Sequence, residues 1–404
     1  MLNQALQLPC GAVLENRLAK AALTERLADG RHDPTPALET LYRRWSAGGV
    51  ALQISGNVLV DRVHLEAAGN MVADAASDLD AFRRLAAAGR SGGNHFWMQI
   101  NHAGRQTPAP INPRPMAPSA VRAAAKAMNL GDPVAMSEAQ ILATISAFAR
   151  AARIAKDTGF TGVQVHGAHG YLVSAFLNPL ANQRDDDWGG ALEGRARFLM
   201  AIIDAVRQDV GPGFPVSVKL NSTDFQAGGF TLDECARVAN WLEQAGVDLL
   251  EISGGNYEAP AMIVGYLPGE PQVKPSTLAR EAYFIDYAVN LRARTTLPLM
   301  LTGGFRSAAA MREALEQGAT DVIGLGRTLC VEPGLPRRLI ADDATALDVQ
   351  ARLKRSHWMP FYYEQIARLG RGEEPDPGAD GEACVASTVA REEAQLAAHR
   401  ESGH

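Results

Sequence analysis

The segment Val163–Tyr171 carries three side chains that can donate a proton or a hydrogen bond. It reads Val-Gln-Val-His-Gly-Ala-His-Gly-Tyr, a buried strand followed by a turn that holds His166, His169 and Tyr171. Two histidines three residues apart can form half of a metal site, but no third ligand of matching type lies near them in the sequence and no His-Glu-x-x-His motif occurs. We therefore predict no bound metal. The two histidines could donate protons or hydrogen bonds to a ligand, or they could be structural residues whose hydrogen bonds are satisfied within the fold.

Two glycine-rich segments in the last third of the chain have the composition of a phosphate-binding site. Leu301–Gly304 and Gly324–Arg327 each follow a predicted strand. Glycines allow backbone N–H groups to approach an anion closely, and an arginine adds a charge-assisted contact. In α/β barrels, phosphate groups commonly bind after the seventh and eighth strands. The sequence therefore predicts a phosphorylated ligand, and its candidate contacts are Gly303, Gly304, Gly326 and Arg327.

Short β-rich runs alternate with longer helical patterns along most of the chain, which is typical of βα units around a parallel sheet. Several runs are continuously apolar, as expected for strands buried on both faces. A barrel brings all the βα loops to one face, so polar residues after different strands converge there. We predict a (β/α)8 TIM barrel, and an open doubly wound sheet is the alternative that alternation alone permits. The predicted strands are Leu18–Leu23, Val50–Ile54, Phe96–Asn101, Gly162–His166, Val216–Leu220, Leu249–Ser253, Leu299–Thr302 and Asp321–Leu325.

Two helices begin with the capping-box pattern, in which a side chain and the backbone satisfy each other's hydrogen bonds. Ser137 with Gln140 opens one helix, and Thr231 with Glu234 opens another. The second pattern runs to Gly246, where a left-handed residue is expected to end the helix before the next strand.

The chain departs from the repeat at two places. From Gly104 to Val134, about thirty residues are rich in proline and lack periodicity, and we predict a structureless cap over the catalytic face. After about Ile340 the strand–helix rhythm ends. We predict that residues 1–341 form the barrel and that residues 342–404 form a short C-terminal helical extension, through Leu369, followed by a flexible Gly/Glu/Ala-rich tail that frays.

The composition excludes several classes of protein. The 404 residues are 47% hydrophobic and 21% charged, with a net charge of −6, and the basic residues are scattered, so no nucleic-acid partner is expected. Arg150 and Arg153 interrupt the longest apolar stretch, Ile141–Ala155, and the first residues lack a signal-peptide pattern. We therefore expect a cytoplasmic protein with no membrane partner. The four dispersed cysteines form no CxxC pair and predict neither structural zinc nor an iron–sulfur cluster.

Motifs in a characteristic order extend over nearly the whole predicted barrel. They are Asn16–Thr24, Gln99–Arg105, His166–Tyr171, Asn178–Arg184, Trp188–Gly190, Val216–Asn221, Thr302–Gly304 and Leu325–Arg327. In order and spacing they resemble the old yellow enzyme family of NADH:flavin oxidoreductases. The Lys-Leu-Asn-Ser stretch is similar to a bacterial branch that includes the barrel portion of 2,4-dienoyl-CoA reductases. The resemblance implies FMN as cofactor, NADH or NADPH as transient hydride donor, and a homo-oligomer, a dimer or a tetramer.

The resemblance also implies a role for each residue that matches a family motif. Lys219, at the end of the fifth strand, stands where the family places a cation beside flavin N1 and O2, which stabilises the reduced flavin. Thr24 matches the residue near flavin O4, and Gln99 matches one that hydrogen-bonds the pyrimidine side. The backbone around Ala22 is expected to line the ring, although the family often has proline at that position.

His166 and His169 match the pair that binds a substrate carbonyl oxygen, and Tyr171 matches the general acid that protonates the α-carbon. These roles predict an ene-reductase that reduces activated C=C bonds of α,β-unsaturated carbonyl compounds by a ping-pong mechanism, with a small-molecule electrophilic alkene as its partner. One alternative keeps the FMN barrel but acts oxidatively, as an amine demethylase or dehydrogenase. Another is a barrel that binds a phosphorylated small molecule without redox chemistry.

Overall fold

In the computed structural model, which describes residues 1–125, 128–260, 281–341 and 344–403, eight parallel strands form a closed barrel. The last barrel strand pairs with the first, with Ile323 beside Leu18, and the first pairs with the second, with Ala19 beside Leu52. Closure confirms the predicted (β/α)8 barrel and excludes the open sheet. The strands of the described residues are β1 (Leu6–Gln7), β2 (Val13–Leu14), β3 (Leu18–Lys20), β4 (Leu52–Leu59), β5 (Met71–Val72), β6 (His95–Asn101), β7 (Met116–Ala117), β8 (Val134–Ala135), β9 (Gly162–Gly167), β10 (Val216–Asn221), β11 (Leu249–Ser253), β12 (Leu299–Thr302) and β13 (Val322–Leu325).

The barrel strands are β3, β4, β6 and β9 to β13, and each overlaps its predicted strand, although β3 ends at Lys20 and not at the predicted Leu23. Because successive side chains of a strand point to opposite faces, one set fills the barrel interior and the other packs on the helices. The N-terminal hairpin of β1 and β2 adds Leu8 and Leu14 to the interior cluster. Other members of that cluster are Ala19, Leu52, Ile54, Trp97, Leu249, Met300 and Val322.

Helices surround the barrel, and both predicted capping boxes are present, at Ser137 and Thr231. Gly246 follows the second of these helices with a φ of +78°, which is the left-handed conformation expected there. The helices of the described residues are α1 (Pro36–Ser46), α2 (Leu79–Gly89), α3 (Glu138–Thr158), α4 (Leu172–Leu177), α5 (Leu192–Val210), α6 (Leu232–Gln244), α7 (Ile285–Arg292), α8 (Ala308–Glu316), α9 (Arg327–Val331), α10 (Leu335–Ala341), α11 (Trp358–Gly370) and α12 (Gly381–Glu401).

The second barrel strand, β4, is longer than predicted. The sequence places its end at Ile54, but pairing with β6 continues to Leu59 after a register shift between Ile54 and Asn57. Such a bulge carries a strand past residues that otherwise end it and re-aims the side chains beyond. The strand therefore delivers Asn57 to the cavity described below.

The proline-rich segment from Gly104 to Val134 contains regular structure, which corrects the prediction of a structureless cap. It begins with a 3-10 turn, and β7 within it pairs in parallel with β8. Glu258 anchors it, because its carboxylate accepts hydrogen bonds from Arg105 Nη2 at 2.7 Å and from the Ala124 N–H at 2.7 Å. Residues 126–127 of the segment lie outside the described residues.

The C-terminal extension forms the helices α11 and α12, and the prediction of a fraying tail is wrong for Gly381–Glu401. The Asp380 side chain caps α12 by accepting from the Ala383 N–H at 2.9 Å. Alanine and glutamate, which suggested a low-complexity tail, are also strong helix formers. The predicted domain boundary after residue 341 adjoins residues 342–343, which lie outside the described part of the chain.

Helix α12 packs back against the loop that follows β3. Gln395 Nε2 donates to the Arg26 carbonyl at 2.6 Å, and the Arg26 guanidinium pairs with Glu392. Further along, His399 Nδ1 lies 2.9 Å from His32 Nε2, and both rings are buried. The described chain contains no helix that combines the length and apolarity needed to cross a membrane.

Candidate active site

A cavity of about 1230 Å³ lies at the C-terminal ends of the barrel strands. Ligand pockets commonly measure about 300–1000 Å³, so this cavity has room for a cofactor together with a substrate. The barrel brings together residues that are far apart in the sequence, and every predicted site residue lines the cavity. These residues are Ala22, Thr24, Gln99, His166, His169, Tyr171, Lys219, Gly303, Gly304, Gly326 and Arg327.

Two imidazoles and a phenol form one group at the end of β9. The His166 ring centroid lies 5.0 Å from that of His169 and 4.9 Å from that of Tyr171, with the rings close to perpendicular. His169 adopts a left-handed backbone with a φ of +64°, and its Nε2 lies 2.7 Å from Ser253 Oγ. Asn221 Oδ1 accepts from the His169 backbone N–H at 3.2 Å, which holds this turn against the next strand.

Both imidazoles are neutral at physiological pH. Burial lowers the pKa of His166 and of His169 well below the ordinary value, and the positive charge of Lys219 lowers both further. His166 Nδ1 accepts a hydrogen bond from the Ala168 N–H at 3.2 Å, so the hydrogen of the neutral ring resides on Nε2. His166 therefore offers an uncharged N–H donor.

The Tyr171 hydroxyl stays protonated in this environment, because burial raises the pKa of Tyr171 far above its ordinary value. Its oxygen lies 2.7 Å from the hydroxyl oxygen of Tyr257, which lines the same cavity. Sequence reasoning missed Tyr257, which follows β11 on another loop. The only local signal is an aromatic residue just beyond a strand end.

A buried polar row crosses four neighbouring strands beneath the cavity. Lys219 Nζ lies 2.9 Å from Glu251 Oε1, and Gln164 Nε2 donates to Glu251 Oε2 at 2.8 Å. Gln99 Nε2 donates to Gln164 Oε1 at 2.8 Å. The pairs are adjacent because Lys219 is in register with Glu251, and Gln99 with Gln164. The row fixes Lys219 and Gln99 at the cavity floor, and Glu251 was missed by sequence reasoning.

Thr24 lies beside a second buried carboxylate. Its hydroxyl donates to Glu66 Oε2 at 3.2 Å and accepts from Asn57 Nδ2 at 3.2 Å. Glu66 in turn pairs with Arg26 at 2.6 Å, and the Arg26 guanidinium lies 4.4 Å from the centre of the Tyr363 ring. The first barrel loop is thus connected to helix α11 across the cavity.

The loops after β12 and β13 have the features of an anion site. Gly303 and Gly304 have φ values of +135° and +89°, and a Cβ on Gly304 would lie 2.0 Å from the Glu281 carbonyl oxygen. Among the described residues, the buried hydroxyls of Thr302 and Thr328 have no hydrogen-bond partner. Unpaired buried hydroxyls and close-approach glycines suit a phosphate group, whose oxygens accept several hydrogen bonds.

The described residues contain one cluster with the spacing of metal ligands, Asp61, His64 and His102, and its hydrogen bonds oppose metal binding. His64 Nδ1 and His102 Nε2 lie 2.8 Å and 3.2 Å from Asp61 Oδ2. The opposite nitrogens accept backbone N–H groups of Met116 and Gly104, each at 3.0 Å. Because one nitrogen of each ring accepts a backbone N–H, the nitrogen next to Asp61 carries a hydrogen, which occupies the position that a metal needs.

Helices α11 and α12 supply the outer wall of the cavity. Sequence reasoning missed this wall entirely, because it follows the end of the barrel repeat and has no motif. The Arg327 guanidinium lies 6.0 Å from the ring centres of both Trp358 and Tyr362, so α11 also covers the candidate phosphate end. The wall residues are Trp358, Met359, Pro360, Tyr362, Tyr363, Val385, Thr388, Val389 and Glu392.

The model of the NADH:flavin oxidoreductase / NADH oxidase family matches residues 8–345. The chain is 37% identical over 363 residues to an NADH-dependent flavin oxidoreductase of Neonectria sp. (strain DH2), which covers 85% of this chain and 47% of that protein. It is 36% identical over 354 residues to an NADH-dependent flavin oxidoreductase of Hypocrea jecorina (strain QM6a), with coverages of 83% and 88%. The chain thus spans about half of the first relative and most of the second.

Solved structures with this fold include two proteins that are named as reductases. A 2-naphthoyl-CoA reductase in complex with 2-naphthoyl-CoA superposes with a TM-score of 0.80 at 25% identity, covering 92% of this chain and 57% of that chain. Morphinone reductase superposes with a TM-score of 0.70 at 22% identity, covering 86% and 91%. The latter likeness shows the shared fold.

The residues present fit FMN. The glycine loops and orphan hydroxyls suit its phosphate, and the Lys219–Gln99 floor offers a cation and an amide to the polar edge of a flavin ring. The family match covers most of the chain, and its relatives are named as NADH-dependent flavin oxidoreductases and NADPH dehydrogenases. The chain therefore belongs to the NADH:flavin oxidoreductase / NADH oxidase family, that of the old yellow enzymes, and is an FMN-dependent oxidoreductase that uses a nicotinamide as hydride donor.

Proposed function

We propose that this protein is an ene-reductase that reduces the activated C=C bond of α,β-unsaturated carbonyl compounds. The reaction is of the ping-pong type, in which NADH or NADPH reacts first and leaves before the alkene binds. The observation that carries the proposal is the grouping of His166, His169 and Tyr171 on one wall of a cavity that also has the features of a flavin site.

The imidazole pair is suited to hold the substrate carbonyl oxygen. His166 presents Nε2–H as an uncharged donor, and His169 is fixed beside it by Ser253. Donors that are already in place stabilise the negative charge that develops on the oxygen as the bond is reduced. Polarisation of the carbonyl makes the β-carbon electrophilic, and bound FMN supplies the hydride that this carbon accepts.

Tyr171 is suited to complete the reduction by delivering a proton to the α-carbon. Its phenol is buried and protonated, and its ring stands at right angles to that of His166. A positioned general acid contributes about 10²- to 10⁴-fold to a rate. We therefore assign carbonyl binding to the two histidines and proton delivery to Tyr171.

Cofactor binding is assigned to the remaining predicted residues. Lys219 and Gln99 would hold the pyrimidine side of the ring, Thr24 would contact flavin O4, and the backbone of Ala22 would line the ring. The glycine loops and the Arg327 guanidinium would bind the phosphate at the other end of the cavity. The salt bridge to Glu251 holds the Lys219 side chain in place at the cavity floor.

The absorbance spectrum of the purified protein, followed by anaerobic titration, tests this function. We expect a flavin spectrum that NADH or NADPH bleaches and that enones restore, without amines having any effect. Bleaching by amines instead of by nicotinamides would favour the oxidative alternative. A colourless protein that does not take up FMN would contradict both.

A further inference from the structure

Two phenols share one hydrogen bond at the reacting end of the cavity. The hydroxyl oxygens of Tyr171 and Tyr257 are 2.7 Å apart, and their rings meet edge to face with centroids 5.7 Å apart. Tyr171 is only 5% exposed, whereas Tyr257 is partly exposed at the cavity wall. Tyr257 is therefore the member of the pair with easier access to water.

We propose that Tyr257 is a proton-relay residue that resupplies the proton which Tyr171 gives to the substrate. The inference rests on the ene-reductase function proposed above. It deepens that function by adding a residue from the loop after β11, which acts through Tyr171 and is not itself assigned a contact with the substrate.

Either hydroxyl of the pair can donate the shared hydrogen bond, and donation by Tyr257 is the arrangement that this order requires. A pair of hydroxyls has two hydrogens, and only one of them lies between the oxygens. If Tyr257 donates, the hydrogen of Tyr171 remains free to point at a substrate. Burial raises the pKa of Tyr171, and a hydrogen bond donated by Tyr257 would oppose that rise.

The surroundings of the Tyr171 hydroxyl favour a donor that returns its proton. Once Tyr171 has lost its proton, a phenolate would remain in a buried site close to the carboxylate of Glu66, whose charge also raises the pKa of Tyr171. An unpaired buried charge is strongly disfavoured. Burial and the charge of Glu66 raise the pKa of Tyr257 as well, so the negative charge that reaches this more exposed ring is removed by a proton from water.

The protons balance in three transfers. The O–H bond of Tyr171 breaks as the C–H bond forms at the α-carbon, and in the same step the O–H proton of Tyr257 moves to the Tyr171 oxygen. Tyr257 then takes a proton from water. The two electrons arrive separately with the hydride, which the nicotinamide supplies through the family's established activity.

The test compares Tyr257→Phe with wild type, Tyr171→Phe and the double variant. Each enzyme is reduced with dithionite, and its reoxidation by an enone is followed by stopped-flow absorbance in mixtures of H₂O and D₂O. We expect Tyr257→Phe to slow reoxidation roughly tenfold, which is less than the about 10²- to 10⁴-fold effect of a direct general acid, because water can still reprotonate Tyr171. The variant should also turn a curved dependence on deuterium fraction into a linear one. The double variant should be as slow as Tyr171→Phe, because the relay acts only through Tyr171.

An infrared difference spectrum of protein labelled with ring-deuterated tyrosine provides a readout that needs no turnover. The band of a phenol that accepts a hydrogen bond should be present in wild type and lost in Tyr257→Phe. Tyr287→Phe is the matched control, because Tyr287 packs against Phe225 and is absent from the cavity wall. This control should match wild type in rate and isotope dependence, and should lose only its own infrared band.

Reoxidation of Tyr257→Phe at the wild-type rate would overturn the relay. A slow variant whose isotope dependence and infrared spectrum match wild type would overturn it too, because such slowing is structural. If wild type fails to reduce any enone, the proposed function fails instead. The infrared band then decides separately whether Tyr257 donates to Tyr171, and its absence in wild type would overturn the relay.

Discussion

The cavity has two walls that are held in place in different ways. The barrel wall consists of strand-end side chains that fix one another, as Lys219 and Glu251 do, and as His169 and Ser253 do. The outer wall comes from α11 and α12. Helix α12 is attached near the cavity through Arg26, and its wall residue Val389 is 48% exposed.

This difference between the walls bears on which of them carries the reaction and which of them selects the substrate. Side chains that are buried and bonded on several sides are held in a fixed geometry, as proton and hydride chemistry require. A wall on an appended helix can change without disturbing that geometry. Helix α12 also lies beyond residues 8–345, which the family model matches. We therefore expect the barrel wall to set the reaction and the outer wall to set which alkene enters.

The largest effect is expected from removing both imidazoles of the barrel wall. One preorganised oxyanion donor is worth about 10²- to 10³-fold, so His166→Ala with His169→Ala should slow enone reduction at least about 10³-fold. The measurement is reoxidation of dithionite-reduced enzyme by stopped-flow absorbance. The matched control replaces both residues by asparagine, which retains an N–H donor and should retain more activity. A double-alanine enzyme within about tenfold of wild type would contradict the assignment.

The next largest effect is expected from Lys219→Met, which leaves the buried Glu251 carboxylate without its partner. Removal of one member of a buried ion pair costs about 3–5 kcal/mol. The free energy of unfolding from urea titration should fall by about that amount. The double variant Lys219→Met with Glu251→Gln removes the stranded charge and should recover most of the loss. Equal stabilities of wild type and the single variant would show that the floor is not held by this pair.

Acidification should weaken the barrel wall through its two histidines. Their pKa values are lowered by burial in the fold and lie near 6.5 in an unfolded chain, so the unfolded chain binds more protons below about pH 6.5. The free energy of unfolding should therefore fall as the pH falls, by up to about 1.4 kcal/mol per pH unit for each histidine. Urea titrations between about pH 7.5 and about pH 5.5 measure the slope, and the double asparagine variant should have a flatter one.

The smallest effect is expected at the outer wall. Val389→Trp adds bulk at a half-exposed position of the cavity rim. KM for bulky enones should therefore rise a few-fold, while kcat for a small cyclic enone stays unchanged. Differences in packing of this kind discriminate substrates by about 1–3 kcal/mol. Leu142→Trp on α3 is the matched control, because Leu142 is 51% exposed and is not part of the cavity. A uniform loss of kcat in Val389→Trp would contradict the division between the walls.

Much of the barrel and of its reacting groups could be predicted because the signals are local. A buried strand is visible as a run such as Val216–Leu220, and a capping box such as that at Thr231 requires only four residues. Neighbouring residues within one turn also stay together in any fold, so His166, His169 and Tyr171 were recognisable as one group. The bulge in β4 escaped prediction because it depends on pairing with β6.

The sequence by itself determined the eight strands, the order of the motifs and the chemical identity of the predicted site residues on the barrel. Only the tertiary structure decided that Glu251 faces Lys219, that Tyr257 meets Tyr171, and that α12 folds back to form a wall. The physical reason is that periodicity and turn chemistry act between near neighbours in the chain. Contacts between strand ends depend on barrel closure and register, and the docking of a helix depends on the surface that the closed barrel presents.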